Sequence, residues 1–297
     1  MELEEMNLSR ADEHIHYSFS ASVAPVLTVR SGKSVSVETR DASNGQIRPS
    51  LNIPVDRSRL LPVTGPVAIE GASPGDAVSI HVERIAFAQA GYAWVRPGLG
   101  ILNIPTEDPY YAERIELKSD GLRLANGLHI PLRPMVGIIG VSTPEEISTR
   151  FPGRHGGNMD CVDVAPGNTL WLPVLIPGAH VSLGDVHAAM GEGEVSGTGV
   201  EIDAEVTVTL ELHRDFTIDG PVIVTPQKTV FLASAPDFLQ AVRSALDRAV
   251  QALCARNGVS TKKAYMTASI TGNARICQLV NGDLTASYEL PREVLAW

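Results

Sequence analysis

From Val200 to Leu212 apolar and polar positions alternate without a break. Val200, Ile202, Ala204, Val206, Val208, Leu210 and Leu212 share one parity, and Glu201, Asp203, Glu205, Thr207, Thr209 and Glu211 the other. Successive side chains of a strand point to opposite faces, so this pattern predicts one long strand with a buried side and a wet side, Glu201 lying on the wet one. A turn followed by a shorter strand recurs elsewhere. Gly32 precedes Val35 and Val37, Gly75 precedes Val78, Ile80 and Val82, Gly167 precedes Leu170 and Leu172, and Gly178 precedes Val181 and Leu183. In Pro74-Gly75-Asp76 and Pro166-Gly167-Asn168, proline presets φ and glycine takes the positive-φ position. The recurrence hints at a duplicated β unit, although such turns are common in β proteins generally.

One segment has a helical period instead. Phe238, Val242, Leu246, Val250 and Leu253 recur every three or four residues, Pro236 suits a first turn, and Asn257-Gly258 is a stop signal. Asp237, Arg243, Asp247 and Arg248 fall off that stripe, which predicts a helix packed on a sheet. Ala264 to Leu279 is ambiguous between helix and strand, and Leu284 to Leu290 reads as a last strand. The expectation is a mainly β chain: a β-sandwich or barrel-like unit with repeated turn-strand elements and a C-terminal α+β section. No linker divides it, so residues 1–297 read as one unit, separable at most into a mainly β part, 1–215, and an α+β part, 216–297.

Composition narrows the partners. The net charge of −10 comes with no clustered lysines or arginines along the chain, which argues against nucleic acid and disfavours anionic lipid surfaces; a neutral small molecule is indifferent to it. The first residues, Met1-Glu2-Leu3-Glu4-Glu5-Met6, are acidic where a secretion signal needs basic ones, and no segment is apolar enough to span a bilayer. Cys161, Cys254 and Cys277 are odd in number without metal-type spacing, and read as free thiols of a cytoplasmic protein.

The chemistry gathers between Phe151 and Glu201. His155-Gly156-Gly157-Asn158-Met159-Asp160 is followed by Gly184-Asp185-Val186-His187 and by Gly191-Glu192-Gly193-Glu194. In an extended segment Asp185 and His187 project to one face, as an oxygen and an imidazole must to share a cation, and Asn158 and Asp160 repeat the spacing. Two such pairs on adjacent strands supply three or four ligands with a place left for water, the form of a catalytic metal site. The glycines weaken strand packing, which a fold tolerates best where backbone turns sharply or approaches a ligand. Singly, each of these residues is as readily a turn or capping residue, and Glu192 and Glu194 as readily solvated loop carboxylates. Cys161 points away from Asp160 in a strand and reads as a packed core cysteine.

These motifs, together with Pro177-Gly178-Ala179, resemble the acetamidase/formamidase family. Pro25-Val26-Leu27-Thr28-Val29, Asp41, Gly45-Gln46, Gly65-Pro66-Val67, Glu70-Gly71, Pro74-Gly75-Asp76 and Gly98-Leu99-Gly100 agree, so the likeness covers nearly the whole chain. The resemblance implies a mainly β fold with a C-terminal α+β part, hydrolysis of short amides to carboxylate and ammonia, a divalent metal, and self-association into a homo-oligomer. The chain departs from the family pattern at Glu192 and Met190, where Asp and Gln are usual, and at Arg154, where Pro precedes the histidine.

The expected assignment is Asp160, Asp185 and His187 as ligands of a divalent cation, zinc by preference, because calcium has little use for imidazole. Glu194 is the expected proton carrier, with His155 the second candidate. Asn158 is either a further ligand or a donor to the oxyanion. Asp41 and Gln46, from the resemblance only, and Glu192 are expected to shape the substrate site. Two other readings are open: a non-catalytic ligand- or ion-binding β-sandwich, and a metal hydrolase of another carbonyl compound such as an ester, ureide or imide.

Overall fold

The computed structural model of the chain describes residues 6–49, 54–106 and 109–297. The clean alternation produces the expected strands: Lys33–Thr39, Ala77–Phe87, Thr169–Pro173, Val181–His187 and Ala204–His213 all form after their glycine turns or within their alternating run. Two large sheets hold them. In the first, nine strands among the described residues run in the order Met6–Leu8, Lys33–Thr39, Ala204–His213, Ala77–Phe87, Thr169–Pro173, Val222–Val224, Lys228–Ala235, Leu284–Pro291 and Asn273–Gln278. The second is built around Val181–His187, which pairs with Met135–Val141 on one edge and successively with Val63–Ile69 and Glu201–Ile202 on the other. Neither closes into a barrel.

The sheets pack face to face because each turns an apolar side inward. One buried cluster takes Val35, Ile80 and Val208 from the first sheet and Val67, Ile139 and Leu183 from the second. A separate cluster joins the C-terminal helices to the first sheet through Phe231, Ala245, Leu253, Ala268 and Leu290. The fold is therefore mainly β with helices only toward the C-terminus.

The helix Phe238–Asn257 is capped by Asp237, whose carboxylate accepts from the Gln240 amide, and it ends at Gly258 with φ 62°. Pro236 thus stands just outside the helix rather than in its first turn. Its fully buried face is Ala241, Ala245, Ala249, Val250 and Leu253, whereas Phe238, Val242 and Leu246 are half-buried. Small side chains let the helix lie close to the sheet, and the larger ones pack around the margin. The ambiguous stretch 264–279 divides into the end of a helix, Thr261–Thr271, and a strand, Asn273–Gln278. No helix among the described residues is long and apolar enough to cross a membrane.

The alternating run at 200–212 is interrupted at Asp203, where the chain leaves the second sheet and enters the first: Ile202 pairs with Val186, and Ala204 with Thr39 and Phe87. Its parity holds throughout, since Ile202, Ala204, Val206 and Val208 all reach the shared core. The expectation that Glu201 is wet does not hold. Glu201 is 1% exposed, and its carboxylate faces an internal cavity that Ala42, Ile47 and Trp94 also line.

Candidate active site

The second sheet breaks its own alternation at one place, and the candidate site lies there. Leu183 and Val186 both enter the core although they stand an odd number apart, and so do Val136 and Ile139 on the neighbouring strand. Between these pairs Gly137 faces Asp185, whose φ of 53° lies in the left-handed region disfavoured for any residue with a Cβ. Asp160 and Glu194 share that backbone state, with φ of 43° and 45°. Such conformations cost about 1–3 kcal/mol each and persist where the surroundings hold them, often at functional sites. Here all three belong to side chains aimed at one point.

That point is a buried group of four carboxylates around an imidazole. Ligand atoms of Asp160, Asp185 and His187 all lie within 4.8 Å of one another, and so do those of His187, Glu194 and Glu201. His187 Nε2 is 3.3 Å from Asp185 Oδ1 and 3.2 Å from Glu201 Oε1. Asn281 Nδ2 donates to Asp160 Oδ2 at 2.6 Å, tying a C-terminal hairpin to the cluster. Gln278 prepares that hairpin: its Oε1 accepts from the amides of Val280 and Asn281, and its Nε2 donates to the Asp283 carbonyl.

Two glycines keep the space open. A Cβ on Gly137 would lie 2.4 Å from Asp160 Oδ1 and 2.8 Å from the Asp185 carbonyl, and one on Gly199 would lie 2.8 Å from the His187 ring. Gly199 also donates its amide to Glu201 Oε1 at 3.1 Å.

Packing these carboxylates together out of water displaces their proton equilibria. Burial, then the Asp185 charge, pushes Asp160 up to about 7. Burial and Asp160 raise Glu194 well above its ordinary value, and burial carries Glu201 to about 8 against the pull of His187. His187 rises as well, because Glu201 and Asp185 outweigh the burial that opposes its charge. Protons alone compensate the cluster poorly, for Asp160 Oδ1, Glu201 Oε2, His187 Nδ1 and Asn158 Oδ1 are buried without a hydrogen-bond partner among the described residues. A divalent cation fits this donor set. Bonds of about 2.0–2.1 Å in a tetrahedron imply ligand-to-ligand edges of about 3.3 Å, close to the separations seen around His187 Nε2.

The cluster forms the floor of a cavity of about 690 Å³, to which Asn158, Asp160, Asp185, Glu194 and Glu201 all contribute. The other expected site residues lie elsewhere. His155 does not line the cavity; it is buried edge-on to Phe19, ring centroids 5.0 Å apart, and burial lowers its pKa to about 4. Asp41 is buried, accepting from the Ser43 and Gly45 amides and pairing with Arg48 at 2.7 Å. Gln46 exchanges hydrogen bonds with the backbone of Asp56 and so holds the short turn Arg57–Arg59. Glu192 turns outward to pair with Arg275.

Glu201, Asn281, Gly137 and Gly199 are the neighbours that sequence reading does not single out. Gly137 did leave a trace, as a glycine inside the wholly apolar run Met135–Val141; Asn281 left none.

Known proteins share both sequence and architecture. A recombinant predicted acetamidase/formamidase from the thermophile Thermoanaerobacter tengcongensis superposes with a TM-score of 0.93 at 34% identity, covering 98% of this chain and 97% of that one. The acetamidase from Bacillus halodurans gives 0.92 at 33%, covering 97% and 98%. The formamidase of Methylophilus methylotrophus is 22% identical over 266 residues, 69% of this chain and 65% of its own. The chain spans about two thirds of the length of the curated relatives it matches. The acetamidase/formamidase family model matches residues 3–152 and 145–296. With matches that run from one end of the sequence to the other, this chain belongs to the acetamidase/formamidase family.

Proposed function

We propose that the chain hydrolyses a carboxamide to a carboxylate and ammonia, and that a divalent metal, zinc by preference, works at the Asp160, Asp185 and His187 cluster. The observation that carries this reading is the buried, under-compensated group of carboxylates and imidazole on the floor of a cavity large enough for a small molecule. Names carried by relatives agree with it: acetamidase in Bacillus halodurans and formamidase in Methylophilus methylotrophus.

Asp160, Asp185 and His187 hold the cation, with Glu201 a further donor against His187. A divalent cation, when bound, supplies Lewis acidity, polarising a carbonyl and making water acidic enough to ionise near pH 7. Glu194 accepts the proton of the attacking water and returns it to the departing nitrogen; its environment keeps its proton affinity high enough for both steps. Amide cleavage needs that return, because an unprotonated nitrogen is a poor leaving group. Asn158 lines the cavity beside the cluster and orients the carbonyl. The buried thiols Cys161 and Cys277 fit the reducing cytoplasm, and the exposed Ile101, Leu102, Ile104 and Val195 fit self-association.

Dialysis against a chelator should abolish ammonia release and zinc should restore it; activity that survives complete metal removal eliminates the metal role. Asp185→Asn and His187→Ala should lower metal content, whereas Glu194→Gln should lower turnover with metal retained. Loss of metal from the Glu194 variant would make Glu194 a ligand.

A further inference from the structure

The cavity is lined by two groups of opposite charge, arginines that act on one another and carboxylates that act on one another. Its acidic groups, among the described residues, are the four carboxylates of the floor; its basic ones are Arg57, Arg96 and Arg150. No carboxylate pairs with any of these three among the described residues. The hydrogen bonds found for them go to backbone: Arg150 Nη2 donates to the Arg57 carbonyl at 2.6 Å and Arg96 Nη1 to the Pro97 carbonyl at 3.5 Å. They also work against one another. Arg96 is lowered by burial and then by the charges of Arg57 and Arg150, and Arg150 by burial and then by Arg57.

A protein of net charge −10 has acids to spare, yet among the described residues none of them forms an ion pair with these guanidinium groups. Guanidinium stays charged under any ordinary condition and presents a planar fork matched to carboxylate or phosphate oxygens. Three such groups line one cavity, Arg96 and Arg150 half-buried and Arg57 exposed, and, mutually repelling, they are complementary to an anion that enters from solution. The overall negative charge does not prevent its entry, because beyond a Debye length of about 8 Å the rest of the surface is screened while groups within the cavity are not.

The size of the cavity points the same way. At about 30 Å³ for each water-sized group, 690 Å³ is far more than a one- or two-carbon amide fills. Apolar side chains, Leu61, Trp94 and Leu99 among them, line the same cavity.

We infer that Arg57, Arg96 and Arg150 form a subsite for an anionic group at the far end of the substrate, which is a carboxamide joined by an apolar spacer to a carboxylate or a phosphate. This rests on the amide-hydrolase reading for the reacting end only. For a dicarboxylic acid monoamide such as glutaramate, the C–N bond of the amide breaks and a C–O bond to water oxygen forms. Glutarate and ammonium leave, and the total charge is unchanged.

The test separates the two ends. Glutarate and inorganic phosphate, neither of which has an amide to cleave, are titrated into the full chain by calorimetry and by fluorescence of Trp94, which is part of the cavity wall. Binding of either supports the subsite, and the tighter of the two names the anion. Arg96→Gln should weaken that binding at least tenfold, and it gives up only a single long bond to a backbone carbonyl; Arg150→Gln is the second. In parallel, kcat/KM for glutaramate should exceed that for pentanamide at least tenfold, and Arg96→Gln should collapse the ratio, whereas mere structural damage would lower both together. If pentanamide is cleaved as well as glutaramate and neither anion binds, the subsite is overturned while amide hydrolysis stands. If the anions bind through the arginines and no amide releases ammonia, the reaction reading fails and the subsite stands.

Discussion

Replacing Gly137 by alanine adds one methyl group at the most crowded point of the site. The new Cβ would sit 2.4 Å from Asp160 Oδ1, 2.8 Å from the Asp185 carbonyl oxygen and 3.1 Å from Asp185 Oδ2. Even a favourable C···O contact needs about 3.3 Å or more, so roughly 1 Å must be recovered. The carboxylates are able to swing away; the Asp185 carbonyl cannot follow without disturbing the pairing of Val136 with Val186 and of Ile138 with Gly184. Overpacking of this kind costs about 1–3 kcal/mol, and a misplacement of about 1 Å at a reacting centre costs on the order of a hundredfold in rate. The expected result is a variant that folds, melts a few degrees lower, holds divalent metal more weakly, and releases ammonia about a hundredfold more slowly. Metal analysis after equilibrium dialysis, steady-state ammonia release and a thermal melt measure the three effects. Gly191→Ala is the control, since nothing lies within 4 Å of its would-be Cβ and its φ is ordinary. Wild-type metal content and turnover in the Gly137 variant would refute the claim that this gap sets the positions of Asp160 and Asp185.

Further outcomes follow from the same geometry. Asp160 and Glu201 have folded-state pKa values raised above 3.8 and 4.5, so in metal-free protein their protonated forms stabilise the fold at low pH and that contribution is lost as pH rises through about 7 and 8; chelator-treated protein should melt lower at pH 8.5 than at pH 6, and zinc should abolish the difference. His155 acts in the opposite sense: buried neutral at about 4 against 6.5 when unfolded, it should cost the fold about 3 kcal/mol as pH drops from 6.5 to 4, read as the difference in denaturant stability between wild type and His155→Gln across that window. Asn281→Ala removes the 2.6 Å bond to Asp160 and should weaken metal binding by about 10–100-fold, as measured by competition with a chromogenic chelator; unchanged affinity would leave Asn281 a purely structural tie. Glu201→Gln tests whether the second group around His187 holds the ion, and loss of metal there would place Glu201 among the ligands.

Much of the molecule was legible along the chain, because strands and helices are encoded by local period. Alternation marks the Ala77–Phe87, Val181–His187 and Ala204–His213 strands, and the three-to-four spacing of apolar residues marks the helix Phe238–Asn257 with its Gly258 stop. Asp185 and His187 were foreseeable partners for a related reason, since residues two apart on a strand share a face. Asp160 reaches them differently, from beyond the end of the strand Gly156–Asn158 and with φ 43°, and Met135–Val141 lies between the two strands that were expected to be adjacent. Tertiary structure decided the rest. Parity tells which side of a strand a residue takes and nothing about what lies beyond that side, so Glu201 reads as wet although it is buried at a cavity that Ile47 and Trp94 also line. Asn281 meets Asp160 across 121 positions of chain, and Arg57, Arg96 and Arg150 meet around one cavity from three separate segments. A periodic pattern carries no record of distances closed only when two sheets and their connecting loops have packed.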